Sequence, residues 1–185
     1  MKKALVGALV LLLSLNCFKL TVKADAGFTS FVNSIEPTPI QCVTYSIPKY
    51  SGFKSYMSYK LFGKWTEQYD LQQLAVTDEY GFRRFEDYYI IAMGTFFDSQ
   101  IGQRVDLVLQ NGEVIKCVIG DKKAEQDTDS SNMFSKNNCL SEFLVDTKNL
   151  ETTVKSRGDV SHFPNEQWDS PVTEVIVYDE FLLGE

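Results

Sequence analysis

A single histidine, His162, is the whole imidazole complement of this chain of 185 residues. A Ser-His-Asp or Cys-His constellation would have to be assembled around one residue in a polar stretch, Ser161-His162-Phe163-Pro164. Glycine-rich phosphate loops are missing too, and no cofactor is expected. Cysteine is scarce: Cys17, Cys42, Cys117 and Cys139 have spacings that match no zinc pattern, so no metal site is expected from Cys and His. Basic residues are outnumbered, 18 against 25 acidic, for a formal net charge of −7. A surface of that sign repels phosphate backbones, which excludes nucleic acid as an expected partner.

Long apolar runs are absent except at the start. Lys2 and Lys3 precede a run from Ala4 to Phe18 broken only by Gly7, Ser14 and Asn16, and small-residue sites follow at Val22-Lys23-Ala24 or Ala24-Asp25-Ala26. This is the pattern of a secretory signal peptide over residues 1–24. The run is shorter than the roughly 20 residues a spanning helix needs, so no integral membrane segment is expected after cleavage. Cleavage removes four of the 18 basic residues and none of the 25 acidic ones, taking the formal charge to −11. Three cysteines remain, which in an oxidising compartment allows one disulfide and a free thiol, or no disulfide. Cys117 and Cys139 flank one loop and are the expected partners if a pair forms.

Residues 25–52 mix Pro37, Pro39 and Pro48 with short apolar runs and read as an extended lead-in, leaving 53–185 as the main domain. Phe53 to Phe62 alternates aromatic with polar residues as a strand does, and Trp65, Tyr69, Leu71 and Leu74 recur near helical spacing behind Thr66. Tyr88-Tyr89-Ile90-Ile91-Ala92-Met93 fits a buried strand. Val105, Leu107 and Leu109, then Asn111-Gly112, then Val114 to Ile119, predict a hairpin with a type I′ turn. Further strands are expected at Ser141 to Asp146 and Val172 to Tyr178, with a short helix from Asn149 to Ser156 stopped by Gly158. Short strands and one or two short helices imply a mainly β domain closed into a small barrel. The acidic, serine-rich segment 125–138 is its longest loop.

With nucleophilic machinery missing, carboxylates are the remaining chemical groups. Asp121 ends the second hairpin strand and Glu142 falls within a later one, and rigid carboxyl groups near solvent can serve as acid and base in sugar-bond cleavage without metal or histidine. Asp127 and Asp129, with neighbouring hydroxyls, could contact a polar ligand. They do not complete the twelve-residue calcium pattern, which needs a glycine at the sixth position and a glutamate at the twelfth. The alternative for each acid is solvation of an exposed loop. Tyr56, Tyr59 and Trp65 could stack on sugar rings, or instead fill the core.

The order Tyr88 to Met93, Ile101-Gly102-Gln103-Arg104-Val105, the Asn111-Gly112 hairpin, Val118-Ile119-Gly120-Asp121 and Ser141-Glu142-Phe143-Leu144-Val145-Asp146 resembles the double-psi β-barrel superfamily. The similar exported members are the three-aspartate, rare-lipoprotein-A-like and barwin-like proteins. The resemblance implies a six-stranded double-psi barrel, a secreted or cell-wall-associated location, binding of peptidoglycan glycan and, in some members, its lytic cleavage. It places Asp121 and Glu142 at the family's aspartate positions. The chain departs from the pattern at Met93-Gly94, where the family has its first aspartate, and at Lys122-Lys123 after Asp121. A non-catalytic extracellular binding module on the same fold is the alternative reading.

Overall fold

The structure, a computed structural model, describes residues 39–48 and 53–183. The expected signal peptide lies outside the described residues. The unit that begins at Gln41 is mainly β. Its strands are β1 (Cys42–Ser46), β2 (Phe53–Ser58), β3 (Val76–Thr77), β4 (Arg83–Phe85), β5 (Tyr88–Met93), β6 (Gln103–Leu109), β7 (Val114–Lys122), β8 (Cys139–Val145) and β9 (Val172–Phe181). Two short helices accompany them, α1 (Glu67–Leu74) and α2 (Thr152–Arg157). The segment expected only as a lead-in thus supplies a strand of the sheet, with Val43 opposite Val177. Among the described residues no helix is long and apolar enough to cross a membrane.

The strands form an open mixed sheet rather than the closed small barrel expected, in the order β1-β9-β6-β7-β5-β4-β3, and β8 joins β5 on one edge and β2 on the other. Pairs β5/β7 and β2/β8 are parallel, and the rest are antiparallel. Strand β5 is the hub. One of its edges carries β7, while the other is shared by β4 at Tyr88 and Tyr89 and by β8 at Ile91 to Met93.

Period-two alternation sorts the side chains onto two faces. The inner face gathers Tyr89, Ile91, Met93, Val105, Leu107, Cys117, Ile119, Phe143 and Val175 into the larger core. The outer face carries Ile90, Ala92, Val118 and Leu144, which pack with Leu71 of α1. Both faces of β5 are therefore covered, which explains its unbroken apolar run. The inner core is closed by aromatics from outside the strands. Phe82 lies edge-on to Tyr89, Phe143, Phe163 and Trp168 at centroid separations of 5.1 to 6.0 Å.

Helix α1 forms where the spacing predicts it, and Thr66 caps it by accepting from the Tyr69 N–H at 3.2 Å. Buried Arg83 closes the other end, donating to the carbonyls of Gln72 at 2.6 Å and Ala75 at 2.9 Å and to the side chains of Gln72 and Thr77. Helix α2 starts later than Asn149: Glu151 is its cap, and Gly158 ends it in the left-handed region at φ 68°.

Two further expectations are corrected. The Asn111-Gly112 hairpin forms, but only Gly112 has positive φ, at 92°. The Gly112 N–H donates to the Leu109 carbonyl at 3.0 Å and the Leu109 N–H to Glu113 at 2.8 Å, a type I turn followed by a glycine bulge rather than type I′. Asn111 is committed elsewhere: its amide donates to the Gln167 carbonyl at 2.8 Å and its N–H to the Ser170 hydroxyl at 3.0 Å. The second correction concerns sulfur. Cys117 and Cys139 are free, as is exposed Cys42. They lie on β7 and β8 with β5 between, Cys117 opposite Tyr89 and Cys139 beyond the Ser141–Met93 pair, so the two-strand spacing of about 10 Å alone exceeds the roughly 7 Å that a disulfide tolerates between Cα atoms. Each buried thiol donates to a carbonyl of its own strand, Cys117 to Ile115 and Cys139 to Ser141, and burial pushes the Cys139 thiol up to about 12.

Lys54 is one of several buried polar residues, with Arg83, Arg104 and Asp106 among the others. It is fully buried, paired with Ser141 across β2 and β8, and its Nζ donates to the Ser170 carbonyl at 3.1 Å. Burial draws its pKa down to about 8, against the raising pull of Asp159 and Asp169. Folding therefore disfavours the protonated amine. Relative to a Lys54→Met variant, wild-type stability should be lowest below pH 8 and rise by roughly 3 kcal/mol up to pH 10.5, read from urea midpoints at several pH values. Truncating Trp168 to Ala should lower the unfolding free energy by about 3–5 kcal/mol in the same assay, the loss typical of a buried aromatic.

Candidate functional site

Asp121 sits on the outer face because of one extra residue. Along β5 and β7, Ile90 pairs with Val118 and Ile91 with Ile119, but Ala92 pairs with Asp121, leaving Gly120 as a bulge. Strict alternation would turn residue 121 toward the inner core with Ile119. The bulge instead brings Asp121 beside Ala92 under α1, where the Gln68 amide donates to Asp121 Oδ1 at 3.1 Å. Only glycine fits at 120, since a Cβ there would lie 2.1 Å from Ile90 Cγ2 and 3.2 Å from Leu144 Cδ2.

Glu142 reaches the same face from the other side of β5, for it too pairs with Ala92. Two carboxylates thus flank one alanine, on backbones about 10 Å apart. Lys123, just past the end of β7, is anchored by its N–H to the Met93 carbonyl at 2.9 Å. Its Nζ meets Glu142 Oε1 at 2.6 Å, with both side chains largely buried. Asp121 differs. Burial is the largest influence on it and raises its pKa, a nearby Glu142 charge adds to the rise, and Gln68, the Lys122 N–H and Lys123 offset part of it. One carboxyl is therefore biased toward holding a proton while the other faces an ammonium. Environments that differ in this way separate an acid from a base.

The other expected residues scatter. Asp129 organises its own loop, accepting from the N–H groups of Ser131, Met133 and Phe134 and from the Ser131 hydroxyl at 2.8 Å. Those donors hold its carboxyl below the usual range. Exposed Asp127 lends that loop its backbone carbonyl, which accepts from Lys136. Tyr56 packs against the inner core and donates to the Lys155 carbonyl at 3.3 Å, while Tyr59 lies under the Arg83 guanidinium at 4.4 Å. Trp65 is the one left open. It is 94% exposed, holds a left-handed backbone at φ 74°, and stands three residues before Gln68. Where the family has its first aspartate, Met93 is buried in the core and Gly94 is pressed against the Asn132 carbonyl, so no acid reaches the site from there.

Gln68 and Lys123 are the residues that sequence reasoning missed. Gln68 has no local signal, because its contact with Asp121 spans 53 positions. Lys123 carries a faint one in its charge two residues after Asp121.

Asp121 provides a pH test. A carboxyl raised on folding adds stability below its unfolded pKa near 3.8, and that stability is lost as pH rises through the folded value. Compared with Asp121→Asn, the wild type should therefore lose stability as pH climbs from 3.5 to 7, and parallel curves would contradict the buried placement. Searches for similar proteins find no matching family model, no matching curated protein and no matching solved structure.

Proposed function

We propose that this is an exported, cell-wall-associated protein that binds peptidoglycan glycan across the start of α1 and the ends of β7 and β8, and cleaves it in the manner of a lytic transglycosylase. The observation that carries the reading is the pairing of Asp121 and Glu142 with the same Ala92, which puts both carboxylates on one face. Asp121 is suited to donate its proton to the glycosidic oxygen as the bond to the leaving sugar breaks. Glu142 would take the proton of the attacking hydroxyl, with Lys123 balancing its charge. Trp65, 94% exposed, offers a flat apolar surface for a sugar ring. The two parallel pairs set among antiparallel neighbours support descent from the six-stranded double-psi barrel. The apolar start of the chain supports export to the side where glycan is found.

One contact favours a non-catalytic binding module instead: Lys123 occupies a Glu142 oxygen at 2.6 Å and would have to yield for that oxygen to act as a base. Purified sacculi separate the readings. Under the catalytic reading the wild type releases muropeptides, and Asp121→Asn and Glu142→Gln each lower release by about 100-fold or more while still sedimenting with sacculi. Sedimentation without release by the wild type leaves the binding module. Trp65→Ala should weaken sedimentation by roughly tenfold, the scale of one lost aromatic stack. If the wild type stays in the supernatant, the glycan reading is wrong in both forms.

A further inference from the structure

A concavity opens on the inner face, at the β1 end of the sheet, with neither Asp121 nor Glu142 in its lining. It is a cleft of about 410 Å³ lined by Gln41, Val43 and Tyr45 of the β1 edge, Val177 and Asp179 of β9, and Phe97 and Asp98. That volume lies within the range of small-molecule sites. The register explains its floor. Val43 pairs with Val177, which also pairs with Val105 on β6, so the floor continues the inner core to the open edge. Val177 is buried, yet Val43 beside it is 56% exposed, which leaves apolar surface uncovered in the cleft. Tyr45 forms a firm wall: its hydroxyl donates to the Phe97 carbonyl at 3.2 Å and its ring lies edge-on to Phe97 at 5.3 Å.

The charged lining is of one sign, beside the Cys42 thiol and the Gln41 and Gln103 side chains. Asp98 and Asp179 are exposed, neither carboxylate has a cation partner among the described residues, and no basic side chain lines the cleft. Gln103, which also borders it, has its amide engaged with the Tyr178 carbonyl and the Gln100 N–H. Among the described residues no group of three or more His, Cys, Asp or Glu could hold a metal ion, so two carboxylates over valines and aromatic rings fit a different kind of cation. We propose that the cleft binds a small organic cation, a primary ammonium carried on an apolar body of about phenylethyl size. The ammonium meets Asp98 and Asp179 while the body covers Val43 against Val177 and Tyr45. The chain's net charge of −7 draws cations toward the site and repels an anion of the same shape.

The test uses the isotope-labelled full chain and three probes: phenethylammonium, 3-phenylpropionate of similar body and opposite charge, and ammonium without a body. Phenethylammonium should give saturable amide shifts confined to residues 41–45, 97–98 and 177–179 at concentrations up to about 10 mM, and the other two probes should not. Asp98→Asn and Asp179→Asn should each weaken binding by about two- to fivefold, the scale of one lost surface ion pair. Both positions are exposed, and asparagine tolerates the left-handed backbone at 98, so both variants should keep the wild-type spectrum elsewhere. The proposal is overturned if no saturable shift appears, if 3-phenylpropionate binds equally well, or if neither variant weakens binding. The glycan reading does not enter, because the probes and variants leave the opposite face untouched.

Discussion

Strand β5 hydrogen-bonds along both edges to three other strands, and the rest of the molecule is arranged around it. Such a strand has no solvent edge and no solvent face, so every side chain in it must be apolar or be satisfied within the protein. Tyr-Tyr-Ile-Ile-Ala-Met meets that requirement. Ile91 and Met93 feed the aromatic core, while Ile90 and Ala92 support α1. Strands β7 and β8 pair with β5 from opposite edges, and their registers set both Asp121 and Glu142 opposite Ala92.

Ala92 is fully buried, and its methyl packs in the cluster that includes Leu71 of α1, between the two carboxylate-bearing strands. Arg83 secures the helix from below by holding its last carbonyls, so Gln68 at the opposite end is fixed over Asp121. A buried guanidinium in the core of one layer thus positions an amide at the rim of another. The electrostatic contrast between Asp121 and Glu142 comes from the same geometry: the helix covers the first, and the lysine at the strand end reaches the second.

How much of this could be read from the residues depended on whether the signal was local. The β5 run, the hairpin and α1 behind Thr66 were legible because periodicity and capping act over a few residues. The turn type was not, since Asn111 is drawn out of the left-handed region by Gln167 and Ser170, more than fifty positions away. Strand β1 was hidden by the prolines around it, and its pairing with β9 joins opposite ends of the domain. Lys54 looked like the polar half of an alternating strand and proved to be its buried half. The expected Cys117 and Cys139 pair failed because flanking a loop in sequence says nothing about a third strand lying between the two. At the site, Asp121 and Glu142 were legible as strand-borne acids, but their shared face was not, because it depends on a bulge that no local pattern of charge or hydropathy marks.

That bulge has a wider consequence. A β-strand is a two-state address system in which odd and even positions go to different compartments, and Gly120 resets the count for everything after it. Pairing Gly120 in regular register, without the bulge, would therefore reverse the destinations of Asp121 and Lys122 without altering either of them. An acid now at the rim would be delivered into a hydrocarbon interior. The parity of a strand is as much a determinant of chemistry as the identity of its residues, and in this protein a single glycine sets it.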